Sequence, residues 1–383
     1  MTILAKSSEK VKVVHVVKEL SHGGIETFLM SMLRNYDRQK FEMDIVYTGG
    51  REGKYATEAK QLGTKFIACP LIRDQIGFVK RFCKILREGN YGAANSHISD
   101  MSAGAIFAAK LMKVPARVAS YHENLYRQTA LKRFYRRTLR KIVIKAATDI
   151  TTSSPGVSQS HFGTIVVPVD MIHPISYGVD TVYFAEKLDR RLNLTRFGFD
   201  RSNLIVGHVG RYVVHKNHRA LVKIAAKVVK AVPNARFLMC GASTGPLKQD
   251  VEKQIAESGL SNYFGMIEGV ADIREFYSSI DIFVLPSLLE GMPVSIIEAQ
   301  AAGKPVVASR LGGIEIATAD EMKKNLFAVD DVDAFSKCLI DLLKDKEKRI
   351  TLGKIGQSYV QKNLDIKIAV RKYEKLYLPK ELR

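Results

Sequence analysis

Cysteine is scarce and scattered in this chain of 383 residues. Cys69, Cys83, Cys240 and Cys338 stand far apart, with no C-x-x-C pair. That spacing argues against a zinc site and a disulfide frame and fits a reducing cytoplasm. No apolar run reaches the ~20 residues that a bilayer-spanning helix needs. Met1 to Lys12 lack the apolar core of a signal segment. The dinucleotide fingerprint G-x-G-x-x-G is not matched after the first strand, so a dinucleotide cofactor is not supported. Low-complexity tracts and short repeats are also missing. Acidic residues are absent between Arg127 and Lys145.

What is present is the composition of a soluble globular protein, 46% hydrophobic and 26% charged. The length exceeds one ordinary core, so two domains are expected. The net charge is +20. Residues 1–150 hold 27 Lys and Arg against 13 Asp and Glu, a net of +14. Arg127, Lys132, Arg133, Arg136, Arg137, Arg140, Lys141 and Lys145 interleave with Leu131, Phe134, Tyr135, Leu139, Ile142 and Val143 at helical spacing. A basic amphipathic helix can lie on an anionic membrane. It can also be a core helix with a solvated basic face. The strength of the bias favours an anionic surface as partner of Arg127–Lys145. No helix-turn-helix, zinc-finger or RNA-binding aromatic pattern accompanies it, so nucleic acid is not expected.

Apolar segments alternate with helical periodicity in both halves. Val11–Val17, Met43–Tyr47, Lys65–Ala68, Ala116–Ser120, Ile150–Ser153 and Met171–Ile175 read as strands of the first half. Leu204–Val209, Arg236–Cys240, Ile282–Leu285 and Val306–Ala308 read as strands of the second. Helices are expected near Tyr55–Leu62, Phe78–Arg87, His218–Ala231, Gly245–Ser258, Asp272–Ser278, Ala334–Leu343 and Ile366–Leu378. The alternation predicts parallel sheets covered by helices. The polar stretch at 190–202 reads as a linker between a first domain, 1–189, and a second, 203–365. The helix near 366–378 is expected to return to the first domain.

Ligands of such sheets bind outside the carboxyl ends of the strands. One segment there stands out. The strand Ile282–Leu285 runs into Glu290-Gly291-Met292-Pro293 and then a helix carrying Glu298, with Gly303 at its end. Pro293 suits a helix start and Gly303 a helix stop. A helix N-terminus aimed at the crevice favours an anion such as phosphate. By themselves, the two glutamates could equally be solvent-facing helix charges. Val209-Gly210-Arg211 with Lys216 ends another strand, and two cations in one loop can clamp a diphosphate. Gly23-Gly24 follows the first strand and allows close approach of a ligand, or a plain turn. His122 follows Ala116–Ser120, and a lone His there is more often structural. Asp331-Val332-Asp333 precedes a helix and reads as a cap rather than a metal ligand.

Together these residues resemble family 4 of the retaining glycosyltransferases. Glu290, Gly291, Pro293, Glu298, Ala299, Gly303, Pro305, Gly312, Gly313 and Glu315 follow its E-x7-E pattern in order. Gly210-Arg211 with Lys216 resembles its G-R-x4-K element. Gly23-Gly24-Ile25-Glu26-Thr27, Cys240-Gly241-Ala242 and Glu268-Gly269-Val270 match further family segments, and the bacterial exopolysaccharide-type subgroup is nearest. The likeness runs from about residue 11 to 378. It implies the GT-B fold, an α/β architecture of two Rossmann-like domains facing across a cleft.

The resemblance also implies roles. The second domain would hold a nucleotide-sugar, a UDP-sugar, through Gly210, Arg211, Lys216, Gly241, Val270, Glu290, Gly291, Met292, Pro293 and Glu298. Gly23 and Gly24 would line the site from the first domain. Glu298 would accept ribose hydroxyls, Arg211 and Lys216 would neutralise the leaving diphosphate, and Glu290 would hold the donor sugar. His122 would complete the catalytic set. Two positions depart from the family: the usual His-x-His reads Asn95-x-His97, and the usual Asn before Gly178 is Tyr177. No covalent nucleophile is evident, so same-face attack by an acceptor hydroxyl is implied, with no cofactor and no metal. The acceptor would be a growing glycan, polyprenyl-linked, at the inner face of the cytoplasmic membrane. A sugar-nucleotide 2-epimerase and a non-catalytic carbohydrate- or nucleotide-binding subunit remain as rival readings.

Overall fold

The computed structural model describes residues 10–21, 23–71, 74–125, 129–186, 188–242 and 246–383. The chain forms two units, Met1–Tyr177 with Ile366–Arg383, and Gly178–Asp365. Each is built on a wholly parallel sheet.

The first unit has strands β1 (Val11–Val17), β2 (Phe41–Tyr47), β3 (Phe66–Ala68), β4 (Ala93–Ser96), β5 (Ala116–Tyr121), β6 (Asp149–Thr152) and β7 (Ile172–Pro174), in the order β3-β2-β1-β4-β5-β6-β7. Val13, Val14, Val16 and Val17 of β1 are buried, as a strand with helices on both faces requires. One face packs on Phe78, Phe82, Ala105, Ala108 and Ala109. The other face packs with Phe28 and Phe41 and carries a buried polar cluster. Asn95 donates to the Tyr377 hydroxyl (2.9 Å) and accepts from Ser120 (2.7 Å). Thr151 donates to Ser120 (2.8 Å) and accepts from the Tyr373 hydroxyl (3.1 Å). Tyr373 and Tyr377 belong to the helix Ile366–Tyr377, which therefore covers this face.

The second unit has strands β8 (Leu204–Val209), β9 (Ala235–Cys240), β10 (Phe264–Ile267), β11 (Ile282–Leu285), β12 (Val306–Ser309) and β13 (Leu326–Phe327), in the order β10-β9-β8-β11-β12-β13. Here the sequence needs correction at one boundary. The expected linker at 190–202 carries a helix, Arg190–Arg196, with Leu194 fully buried. Arg190 donates to Asp281 Oδ2 at 2.7 Å. Polar composition hid this helix, because one inward leucine and one ion pair dock it. The short strands β4, β10 and β13 and the helix Lys346–Asn363 also lie outside the sequence reading. β4 is Ala-Ala-Asn-Ser, which lacks the branched side chains that mark strands.

Candidate active site

In the second unit the winding of the sheet reverses between β8 and β11. The loops leaving those two strands diverge, and such switch points bind ligands. β8 delivers Gly210, Arg211 and Lys216, and β11 delivers Glu290. Arg211 is exposed. Lys216 donates from Nζ to Glu290 Oε1 at 2.6 Å, with both side chains largely shielded. Burial strengthens such a pair and makes loss of either partner costly. A cation and a carboxylate from separate strand ends thus meet at one point, 74 positions apart in sequence.

Pro293 caps the helix Val294–Ala301, and Gly291, Met292 and Pro293 are buried in the turn before it. Glu298 lies on that helix, 6% exposed. Its Oε2 accepts from the Tyr277 hydroxyl at 2.8 Å. Burial pushes the carboxyl up to about 7, and the Tyr277 hydrogen bond only partly offsets this. Glu298 is therefore no solvent-facing helix charge. Glycine is required at two places here. A Cβ on Gly241 would stand 2.0 Å from the Gly210 carbonyl oxygen, and one on Gly313 would stand 1.7 Å from that of Gly291. These contacts bring the β8 and β9 loops together and brace the turn that follows Glu290. Val270 is half-buried in the loop after β10.

In the first unit, Gly23 stands just before the helix Gly24–Asn35, and its carbonyl accepts from Thr27 at 2.8 Å. The Glu26 carboxylate folds back over Gly23, where a Cβ would meet Oε2 at 2.3 Å. His122 is buried, and both its ring nitrogens are engaged. Nδ1 is 2.6 Å from the Tyr177 hydroxyl, and Nε2 is 3.0 Å from His97 Nδ1. His97 Nε2 lies 3.0 Å from His15 Nδ1. Burial holds all three imidazoles below their usual range, His97 at about 3. The two departures from the family pattern thus have partners: Tyr177 reaches His122, and Asn95 reaches Tyr377 and Ser120.

The profile of the family "Glycosyl transferases group 1" matches residues 189–359, and that of "Glycosyltransferase Family 4" matches residues 22–183. The chain belongs to glycosyltransferase family 4.

This family 4 transferase is 28% identical over 311 residues to a Bacillus subtilis protein bearing the glycosyltransferase name EpsF, covering 79% of this chain and 80% of that one. It is 23% identical, over 98% of both chains, to the UDP-Gal:alpha-D-GlcNAc-diphosphoundecaprenol alpha-1,3-galactosyltransferase of Escherichia coli. Among solved structures, HepE of Anabaena in complex with UDP and glucose superposes with a TM-score of 0.81 at 17% identity, over 95% of this chain and 98% of that one. WaaG, a lipopolysaccharide-biosynthesis glycosyltransferase, does so with a TM-score of 0.73 at 12% identity, over 95% and 99%. At those identities the likeness establishes the GT-B fold.

Three parts of the transferase differ in visibility from the sequence. Tyr277, the partner of Glu298, carries no sequence signal, since it sits in an apolar helical run, Phe276-Tyr277. Asp331 caps the helix Val332–Lys344 by accepting from the Ala334 amide at 2.9 Å, and Asp333 pairs with Lys227 at 2.6 Å. The basic segment is a helix over Ala130–Ala146, and Arg127 lies outside the described residues. Lys132, Arg133, Arg137, Lys141 and Lys145 are exposed. Leu131, Phe134 and Tyr135 are exposed among them, at 79, 72 and 47%. Arg140 corrects the expected surface patch: it is buried, 2.8 Å from Asp100 Oδ1 and 2.6 Å from the His161 carbonyl. It ties the helix to the turn after β4 and to the helix Pro155–Phe162, and it is unavailable to a partner. Among the described residues no helix is long and apolar enough to cross a membrane.

Proposed function

We propose that the transferase moves a sugar, with retention of anomeric configuration, from a UDP-sugar to a hydroxyl of a growing, lipid-linked cell-surface glycan. The observation that carries this reading is the Lys216–Glu290 pair at the β8/β11 switch point, with Arg211 on the same loop as Lys216 and Glu298 buried on the helix that follows Glu290. The leaving diphosphate gains charge in the transition state, and in this reading Arg211 and Lys216 stabilise it. Glu290 orients Lys216 and holds hydroxyls of the donor sugar. Glu298 accepts ribose hydroxyls. In the absence of a protein nucleophile, the acceptor hydroxyl attacks from the face the diphosphate leaves, and a diphosphate oxygen takes its proton. The charge on the diphosphate is met by side chains, so no metal is needed. UDP in the HepE complex and the diphosphoundecaprenol acceptor in the E. coli relative's name support the choice of substrates. An acceptor of that kind places the enzyme at the inner leaflet, held peripherally by the basic helix.

The test is a panel of nucleotide sugars screened for protection from unfolding, followed by transfer to polyprenyl-diphosphate-linked sugars with the product anomer read by NMR. Protection by a UDP-sugar and an α product are expected, and activity should survive EDTA. Turnover of donor without any acceptor product would favour the epimerase. A β product would exclude retention. Complete loss with EDTA, restored by a divalent ion, would exclude metal independence.

A further inference from the structure

The loop that carries Arg211 and Lys216 is pinned by three aromatic rings. His208 stands near the end of β8, Tyr212 lies within the loop, and His218 opens the helix His218–Ala231. The His218 ring stacks on Tyr212 with centroids 4.6 Å apart and meets His208 edge-on at 4.8 Å. All three residues are at least nine-tenths buried. His208 Nδ1 lies 3.1 Å from the Val284 carbonyl, which can only accept, so Nδ1 carries the hydrogen and Nε2 is a bare acceptor. Nε2 faces Gly210, where a Cβ would stand 3.0 Å away. That nitrogen and the Tyr212 hydroxyl have no hydrogen-bond partner among the described residues, and the one polar group that acts on His218 is the Gly210 carbonyl, short of a full hydrogen bond. Imidazole nitrogens left without full partners at one buried anchor are costly, and apolar rings would pack the same space without that cost. Two such imidazoles at the base of the Arg211–Lys216 loop call for a role.

The surroundings decide which. Burial, then Lys216 and His215, disfavour a charged His218, and the Gly210 carbonyl favours it. Burial, His218 and Lys216 likewise disfavour a charged His208. The free N–H groups of the helix start add to this opposition. Arg211 is on the same loop, and Glu290 answers Lys216 from the β11 side. Glu252, Cys240 and Glu268 face Tyr212 from the neighbouring elements. In the free protein burial and the neighbouring cations thus hold His218 neutral. A diphosphate bound at this loop would act in the opposite sense. Each negative charge within roughly 6 Å, at an effective dielectric near 20, moves a titration by about two pH units.

We propose that His218, supported by His208, is a positioning residue that takes up one proton from solvent when a nucleoside diphosphate sugar binds the Arg211–Lys216 loop. The imidazolium then donates to the Gly210 carbonyl, which is already pressed against Gly241, and fixes the loop in its bound form. This rests on the reading of the loop as the donor-diphosphate site.

Calorimetry of UDP-glucose binding in buffers of different ionisation enthalpy counts the protons exchanged. UDP-glucose suits the test because its diphosphate diester does not titrate near neutral pH. Glu298 releases a proton on the same event, so the difference between proteins is read. Near pH 6.5, wild type should take up about one proton more than His218→Gln, and the ratio of their affinities should grow by up to about tenfold per pH unit from about pH 8 to about pH 6. Tyr212→Phe keeps the ring stack and removes a hydroxyl that does not titrate near neutral pH, so its proton count should match wild type whatever its affinity. Should His218→Gln not fold, Glu298→Gln removes the released proton and should still take up about one proton on binding UDP-glucose, and no uptake decides against the proposal. Equal counts in wild type and His218→Gln overturn it and leave the donor site standing. Failure of every nucleotide sugar to bind removes both.

Discussion

Glu298 carries two opposed demands. Burial raises its carboxyl to about 7, so the ionised form that ribose hydroxyls favour is disfavoured by the fold. A folded value above the unfolded one near 4.5 means stability present below that value and lost as pH rises towards 7. The loss amounts to about 3 kcal/mol. Glu298→Gln keeps an acceptor for Tyr277 and removes the titration. It should melt higher than wild type above pH 7, yet bind UDP more weakly by about 1.5–3 kcal/mol. Scanning calorimetry and titration calorimetry check the two halves, and unchanged UDP affinity would take Glu298 out of the site. Lys216 acts at the transition state. Lys216→Ala should lower kcat more than it raises KM, because leaving-group charge develops along the reaction. A rise in KM alone would reduce Lys216 to a binding contact.

At the scale of the element, the helix Ala130–Ala146 splits into two faces with different tasks. Arg140 points inward to Asp100, and the exposed cations lie around Leu131, Phe134 and Tyr135. Each basic residue near an anionic surface contributes about 1 kcal/mol, and salt screens it. Neutralising Arg133, Arg137, Lys141 and Lys145 together should abolish sedimentation with anionic vesicles and spare UDP affinity. Arg140→Ala should instead cost about 3–5 kcal/mol of stability, because Asp100 is left charged and buried. Equal partitioning of wild type onto neutral and anionic vesicles would reduce the exposed face to a solvated one. The sequence shows the charge and the period of this helix. It does not show which arginine turns inward, since that depends on Asp100, forty positions away and folded beneath it.

The whole molecule carries an acid liability. Burial holds His15, His97 and His122 neutral in the first unit, and His208 and His218 in the second. For a histidine depressed in the folded state, the unfolded chain binds the extra proton. Stability is therefore level above pH ~6.5 and falls as the solution is acidified. The slope is about 1.4 kcal/mol per pH unit for each such ring. Three rings in the first unit outnumber two in the second, where Glu298 works in the opposite direction. Hydrogen exchange between about pH 7 and pH 5 should show the first unit opening first. Level protection in both units, or earlier opening of the second, would contradict this.

Sequence by itself determined the two parallel-sheet units, most of their strands and helices, and the order of Gly210, Arg211, Lys216, Glu290 and Glu298. These follow from local rules: period, punctuation by glycine and proline, and residue types at strand ends. Tertiary structure decided what those residues touch. It set Lys216 on Glu290, hid Glu298 behind Tyr277, drew His15, His97, His122 and Tyr177 into one hydrogen-bonded line, and packed Arg190–Arg196 of the polar stretch as a helix. Each of these contacts joins segments far apart in the chain. Burial and the charge state that burial imposes depend on all the elements that close over a residue, and no local pattern records them.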